Sequence, residues 1–139
     1  MSDLTLTGPD GRTYFSHDEL ACDHCGQGKL APGFGEQLLR LRIAFGRPML
    51  PTSACRCEVH NKAERGHGRS LHVFDKPAHK TGGTCAIDVA MIDGVYAHQL
   101  LSVATQLGWS VGINFDRSFI HLDRRIDYGV QADPSIFSY

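Results

Sequence analysis

The fold is decided by Cys85-Ala86-Ile87-Asp88-Val89-Ala90-Met91, a compact apolar run that contains a single carboxylate. An apolar run of this length predicts a buried strand. Burying the Asp88 carboxylate among apolar neighbours costs several kcal/mol unless a partner compensates its charge, and a bound cation would do so. The run therefore predicts both a central strand and a place where a metal is held.

Two histidines are candidates to bind a metal together with the Asp88 carboxylate. His121 lies within a second apolar run at 119–123, and His72 closes a Ser-Leu-His run. A single histidine is more often a surface or hydrogen-bonded residue than a ligand, so the signal lies in the combination of His72, Asp88 and His121. Two imidazoles and a carboxylate suit an open zinc site, whose fourth position is left for water. The sequence thus predicts Zn²⁺ of the hydrolytic kind.

Helical and strand patterns alternate along the rest of the chain. Apolar residues recur at helical spacing in 34–45 and 95–107, and a glycine follows each segment. A capping-box pattern at 16–19 predicts a further helix start. The other predictions are strands at 49–55, 85–91, 109–113 and 119–122, a short helix at 58–64, a loop beginning at 66–68, and an extended lead with a turn over 1–15. The tail after 127 shows no informative pattern. We expect one α+β domain over 1–139, with helices packed on an antiparallel sheet whose open face holds the metal.

Composition narrows the class of protein. The formal net charge of the 139 residues is -1, which does not predict nucleic acid or an anionic membrane as a partner. No apolar run approaches the roughly 20 residues that span a bilayer, and the start of the chain lacks a signal-peptide pattern. Five cysteines, an odd number, argue against a secreted disulfide scaffold. We expect a monomer that is made in the cytoplasm.

Several short motifs occur in a fixed order: Ser-x-x-Arg at 53–56, His-Asn at 60–61, Ser-x-His at 70–72, Ala-x-Asp at 86–88 and Phe-Ile-His-Leu-Asp at 119–123. This series resembles the D-alanyl-D-alanine carboxypeptidase-like zinc peptidases, and it is most similar to their small, single-domain, phage-type members. The resemblance covers roughly residues 14–124. It implies a hedgehog/D-Ala-D-Ala peptidase-like fold.

The resemblance also assigns roles to residues. It makes His72, Asp88 and His121 the zinc ligands. Arg56 would contact the substrate or stabilise the developing oxyanion, a role that suits its fixed charge and forked donors. The other motif residues would shape or support the site: Ser53, Ser70 and the His60-Asn61 pair.

One departure from the family pattern concerns the first ligand. Here the loop 73–83 separates Ser-x-His from Ala-x-Asp, which usually follow each other closely in the family. His79, within that loop, is therefore a rival to His72. We prefer His72 because Ser70 precedes it at the motif spacing.

A second departure concerns the general base. Some relatives carry an acid three residues before the last histidine ligand, where this chain has Ser118. Asp123 and Asp116 are the remaining candidates. Asp123 shares a strand face with His121, so it would either orient that ligand or take a proton from water. We assign Asp123 as the catalytic candidate and keep Asp116 as its alternative.

The cysteines form two close pairs, Cys22-x-x-Cys25 and Cys55-x-Cys57. Together they could build a second, structural zinc site with four thiolates. A redox pair and plain thiols are the alternatives. Cys85 beside the central strand is expected to be a small core residue.

The function implied by the resemblance is zinc-dependent hydrolysis of peptidoglycan stem peptides, by a phage-type endolysin or a wall-remodelling enzyme. Such a protein would stay in the cytoplasm until a holin or another route releases it to the cell wall. The bond cleaved is left open between D-Ala–D-Ala and L-Ala–D-Glu. The alternative function is a non-catalytic zinc-binding interaction module built on the cysteine-rich region.

Overall fold

The computed structural model describes residues 3–66 and 68–139, so His67 of the expected loop at 66–68 lies outside the described residues. Within these ranges the secondary structure follows the α+β prediction. The elements are β1 (Leu6–Thr7), β2 (Thr13–Phe15), α1 (His17–Leu20), α2 (Phe34–Phe45), β3 (Pro51–Ser53), α3 (Glu58–Ala63), β4 (Ala86–Ala90), α4 (Gly94–Gln106), β5 (Ser110–Asn114), β6 (Phe119–Asp123), a 3-10 turn (Arg125–Tyr128) and β7 (Ile136–Ser138).

A five-stranded sheet forms the centre of the fold, with the strand order β3-β4-β6-β5-β7. The pairs β3/β4, β4/β6 and β5/β6 are antiparallel, whereas β7 runs parallel to β5 at one edge. In the β4/β6 pair Asp88 lies directly opposite His121, and Ala86 lies opposite Asp123. The predicted antiparallel sheet with packed helices is confirmed, and β7 is a parallel addition to it.

One face of this sheet packs in the hydrophobic core, and the other carries the polar residues Asp88 and His121. Apolar residues that alternate along β4 and β6 belong to the hydrophobic core: Ile87, Val89, Ile120 and Leu122. Helices α2 and α4 pack against each other, and α4 also packs on β5, so the core lies between helices and sheet. Because successive side chains of a strand point to opposite faces, Asp88 and His121 lie on the face away from this core.

Local sequence signals set the ends of the helices. Ser16 and Glu19 form the predicted capping box at the start of α1. Helix α2 has the predicted bounds, and Gly46 ends it in the left-handed conformation, with φ 75°. The longest helix, α4, has 13 residues and begins at the Asp93 cap. Within the described ranges no helix has both the length and the apolarity needed to cross a membrane.

Both ends of the chain hold strands that the sequence patterns did not predict. At the start, β1 and β2 form a small antiparallel hairpin instead of a simple extended lead. Its turn is closed by hydrogen bonds from Gly8 N to Arg12 O and from Gly11 N to Gly8 O. At the other end, β7 covers part of the sheet edge. All three strands are too short, at two or three residues, to show a periodic pattern.

Candidate metal centre

Three side chains converge on the open face of the sheet. Asp88 Oδ1 lies 3.0 Å from His121 Nδ1 and 3.3 Å from His72 Nε2, and the two imidazole nitrogens are 3.3 Å apart. Zinc bound at about 2.0–2.1 Å by three tetrahedral donors would separate them by about 3.3–3.4 Å. We call His72, Asp88 and His121 the triad. Its spacing fits a zinc ion.

Each triad residue is held by the fold in a different way. Asp88 and His121 face each other across the β4/β6 pair. His72 lies in a loop, where its carbonyl oxygen accepts hydrogen bonds from Arg56 N (2.9 Å) and from Thr84 Oγ1 (2.7 Å). Its own backbone N–H donates to Ser70 Oγ at 3.2 Å, the supporting role expected for that serine. All three triad side chains are buried.

The far nitrogens of both imidazoles are also held. His72 Nδ1 lies 2.8 Å from Ala54 O, and His121 Nε2 lies 2.8 Å from Asp123 Oδ2. A carbonyl or a carboxylate oxygen can only accept, so each of these ring nitrogens must carry the proton. His72 Nε2 and His121 Nδ1 then face Asp88 and are the ring atoms left for a metal, which would displace the proton that His121 Nδ1 shares with the Asp88 carboxylate. This is the tautomer arrangement that metal-binding histidines require.

The charges and hydrogen bonds within the triad shift the pKa values of its residues. Burial alone would raise the pKa of Asp88, but the neighbouring His72 and His121 hold it well below its usual range. Burial alone would lower the pKa of His121, but hydrogen bonds to Asp123 and Asp88 raise it to about 9. The carboxylates are therefore ionised at neutral pH, and a cation at the triad would be attracted by both.

Asp123 is fully buried behind His121 and is paired on both of its oxygens. Arg125 donates from Nη2 to Oδ2 (2.7 Å) and from Nε to Oδ1 (2.9 Å), while the Arg125 backbone N–H donates to Oδ1 at 3.0 Å. Burial opposes ionisation, but the hydrogen bonds from Arg125 and His121 lower the pKa of Asp123 to about 2. A carboxylate held in this way is a weak base. The geometry therefore favours the orienting role of Asp123 over the role of general base.

The alternative base and the alternative ligand lie elsewhere. Asp116 is exposed in the turn between β5 and β6 and is not among the residues that line the cleft above the triad. His79 does line this cleft, but its ring is not part of the convergent cluster. Of the two candidate first ligands, the structure brings His72 to Asp88 and His121.

Arg56 lies beside the triad, with its Nη2 atom 3.8 Å from Asp88 Oδ2. The same Nη2 donates to Ser53 Oγ, and Nη1 donates to Asn61 Oδ1, each at 3.0 Å. Ser53 and Asn61 thus contact the guanidinium, as expected for supporting residues, whereas His60 Nε2 lies 3.7 Å from Glu64 Oε1 instead. Among the described residues, no acceptor reaches the buried Nε of Arg56. The hydrogen bonds to Ser53 and Asn61 hold the guanidinium in place at the lining of the cleft.

The triad opens into a cleft of about 1280 Å³. Its lining is rich in arginine and aromatic side chains: Arg56, Arg65, Arg69, Arg117, Arg125, Phe119, Phe137 and Tyr139. The same lining holds the carboxylates of Asp23, Glu64, Asp88 and Asp123, so arginines are only slightly in excess. The arginine side chains offer forked donors that suit a substrate carboxylate.

Sequence reasoning missed one wall of this cleft. Phe137 of β7 packs beside His121 with ring centroids 5.6 Å apart, and the Arg125 guanidinium stacks over Phe137 at 5.5 Å. Gly112 allows this packing, since a Cβ at that position would collide with the Phe137 ring. Two aromatic residues near the end of the chain, Phe137 and Tyr139, were the available hint, but a strand of three residues is too short to show a pattern.

The four-thiolate cluster that the sequence left open does not form with all four cysteines, because Cys55 lies elsewhere. Sulfur atoms of Cys22, Cys25 and Cys57 lie within 4.8 Å of one another, but Cys55 is not with them. Cys55 is part of the hydrophobic core, where its Sγ lies 3.9 Å from Lys29 O. Cys57, by contrast, caps the start of α3. Because the chain turns into the helix at this point, the two thiols point into different surroundings.

Comparison with known proteins gives a consistent result. A family model described as peptidase M15 matches residues 13–123, which include every residue of the triad, Arg56 and Asp123. The comparison with curated proteins found no match.

Proposed function

The chain belongs to the peptidase M15 family of zinc-dependent peptidases, and on this premise we propose that it hydrolyses peptide bonds in the stem peptides of peptidoglycan. The family assignment favours a peptidase over the non-catalytic zinc module. The observation that carries the proposal is the convergence of the triad donors at 3.0–3.3 Å, with the far side of each ring already bonded. We propose that His72, Asp88 and His121 hold the zinc.

Bound zinc supplies Lewis acidity, which polarises a peptide carbonyl and makes water a better nucleophile. The protein supplies the rest of the chemistry through its own residues. Asp123 keeps the proton on His121 Nε2, so that Nδ1 stays available as a ligand. Ala54 O does the same for His72. We assign Asp123 as a positioning residue.

Arg56 is proposed to stabilise negative charge on the reacting carbonyl oxygen or to hold a substrate carboxylate. Its guanidinium borders the triad and is fixed by Ser53 and Asn61, so little side-chain freedom remains to be lost when substrate binds. A fixed donor aimed at developing charge is the usual source of large electrostatic rate effects. Lysine could supply the charge but not this fork.

The arginine side chains of the cleft support an anionic peptide as substrate. Stem peptides carry carboxylates at D-Glu and at the terminal D-Ala, and arginine side chains surround the triad. We propose an endolysin or wall-remodelling role for this activity, acting at the cell wall after release from the cytoplasm. The two bonds considered are D-Ala–D-Ala and L-Ala–D-Glu.

The test is to incubate the zinc-loaded protein with purified peptidoglycan and to identify the products by mass spectrometry. Release of free D-alanine would assign carboxypeptidase action, whereas release of peptides that begin with D-Glu would assign the endopeptidase. A matched reaction with His121→Ala should yield neither product. Absence of any peptide-bond product from the zinc-loaded wild-type protein, on walls that a known peptidase digests, would refute the proposed function.

A further inference from the structure

A second cluster of metal-binding side chains lies outside the triad and shares no residue with it. Cys22 and Cys25 lie in the loop after α1, and Cys57 caps the start of α3. Their sulfur atoms come within 4.8 Å of one another although the two segments are more than 30 residues apart in sequence. All three are free thiols. Three thiols that converge without forming a disulfide are the arrangement found in metal sites.

A fourth donor lies at the edge of the group. His24 Nδ1 lies 3.4 Å from Cys57 Sγ, but it is not within 4.8 Å of all three sulfur atoms, so its side chain would have to turn toward Cys22 and Cys25 to share an ion with them. A tetrahedral zinc ion with ordinary Zn–S and Zn–N bonds would separate a sulfur from a nitrogen ligand by about 3.6 Å. From this geometry we propose a second, structural zinc site in which Cys22, Cys25, Cys57 and His24 are the four ligands.

Backbone groups already support the sulfur atoms as acceptors. Cys57 N–H points to Cys22 Sγ at 3.4 Å, and His60 N–H points to Cys57 Sγ at 3.3 Å. The loop itself is closed by hydrogen bonds from Gly26 N to Cys22 O and from Cys22 N to Gln27 O, both 2.7 Å. N–H groups that face a thiolate hold it in position as a ligand. Thiolates with one imidazole favour zinc over magnesium or calcium.

Four protein ligands leave no open position, which is the mark of a structural rather than a catalytic zinc site. The site would tie the loop after α1 to the N-terminus of α3. Cys57 directly follows Arg56, so the metal would also fix the backbone beside the guanidinium at the cleft. The proposed role is thus to hold the wall of the cleft that carries Arg56, without contact with the substrate.

Metal counting by inductively coupled plasma mass spectrometry tests the site. Wild-type protein should hold about two zinc ions per chain, and Cys57→Ser or His72→Ala should each hold about one. The matched control is Cys55→Ala, which removes a neighbouring thiol outside the cluster and should keep both ions. Replacing zinc with cobalt in His72→Ala should give the charge-transfer absorption of cobalt thiolates, and in Cys57→Ser should weaken it strongly.

Three results would overturn the proposal: a wild-type count of one zinc that falls to none in His72→Ala, an unchanged count in a folded Cys57→Ser, or a Cys22–Cys25 disulfide in the freshly purified protein. If Cys57→Ser does not fold, the cobalt spectrum of His72→Ala decides the question alone. The inference is independent of the reaction proposed above. Failure to cleave peptidoglycan would leave the metal counts as they are.

Discussion

Replacing Asp123 with asparagine separates two roles that the sequence leaves open. The carboxylate bonds to His121 Nε2 at 2.8 Å and to Arg125 through both of its oxygens. Asparagine keeps the volume and one oxygen but loses the charge, and its NH₂ group would face either Arg125 or the imidazole as a donor. The change therefore weakens the hydrogen bond that keeps the proton on His121 Nε2, while the ligand atoms of the triad stay in place.

The expected losses in zinc affinity and in stability follow from the contacts that Asp123 makes with His121 and Arg125. Loss of a partner that orients a metal-binding histidine costs about 10–100-fold in metal affinity, or about 1.4–2.7 kcal/mol. Breaking a buried ion pair costs about 3–5 kcal/mol of stability, and this is an upper bound here because the Arg125 side chain is 18% exposed. A domain whose free energy of unfolding is near the middle of the ordinary range, about 10 kcal/mol, stays folded after such a loss.

The assay is zinc titration against a competing chelator, with hydrolysis of peptidoglycan measured at each zinc concentration. We expect Asp123→Asn to need about 10–100-fold more zinc than wild type and to recover most of its rate when zinc is in excess. Asp116→Asn is the control, because Asp116 is exposed outside the cleft, and it should titrate and turn over as wild type does.

The opposite pattern would refute the orienting role. If Asp123→Asn kept the wild-type zinc affinity but lost about 100-fold or more in rate at saturating zinc, Asp123 would be the general base. A loss of that size in Asp116→Asn with a normal Asp123→Asn would instead identify Asp116 as the base.

Four further predictions follow from the same contacts. His72→Ala should lose the zinc at the triad and all activity, whereas His79→Ala should keep both by metal analysis; the reverse result would exchange the two as ligand. Arg56→Lys should keep zinc and fold but lose about 100-fold in rate, since lysine lacks the fork; unchanged turnover would make Arg56 structural. Gly66→Ala should slow hydrolysis by about 10–100-fold with zinc retained, because its Cβ would collide with Asn61 Oδ1 and lie 3.1 Å from Arg56 Nη1; wild-type kinetics would show that the loop can shift. Cys85 should resist alkylation near pH 8 until the protein unfolds, since burial and the neighbouring Asp123 raise its pKa to about 12; rapid labelling of the native protein would contradict this.

Elements governed by neighbours in sequence were predictable, because their signals are local. Helix α2 shows this best, since apolar spacing and the following glycine fix its two ends. The convergence of the triad was also predicted, since a buried carboxylate in one strand and a buried histidine in another each need a partner. The motif spacing predicted His72 rather than His79 as the first ligand. The structure supplies the physical reason, since hydrogen bonds to Ala54 and Thr84 hold His72 in place.

Contacts that depend on distant parts of the chain were not predictable. Arg125 follows Asp123 by only two residues, but nothing in the sequence indicates that it occupies both carboxylate oxygens and so weakens the base. The separation of Cys55 from Cys57 depends on where α3 begins. Strand β7 is held by pairing with β5 and by the space above Gly112, and neither leaves a periodic signal in three residues.

The direct opposition of Asp88 and His121 has a consequence for folding. Strands β4 and β6 are joined through α4 and β5, so their pairing closes a long loop and is entropically costly. A slip of one residue would turn one ligand toward the core and place an apolar side chain on the cleft face. Zinc binding rewards only the native register, and its binding free energy adds to the free energy of folding. Zinc would thus stabilise the correct alignment of the two strands. Compared with the zinc-bound protein, the metal-free protein should lose the most protection against hydrogen exchange along β4 and β6.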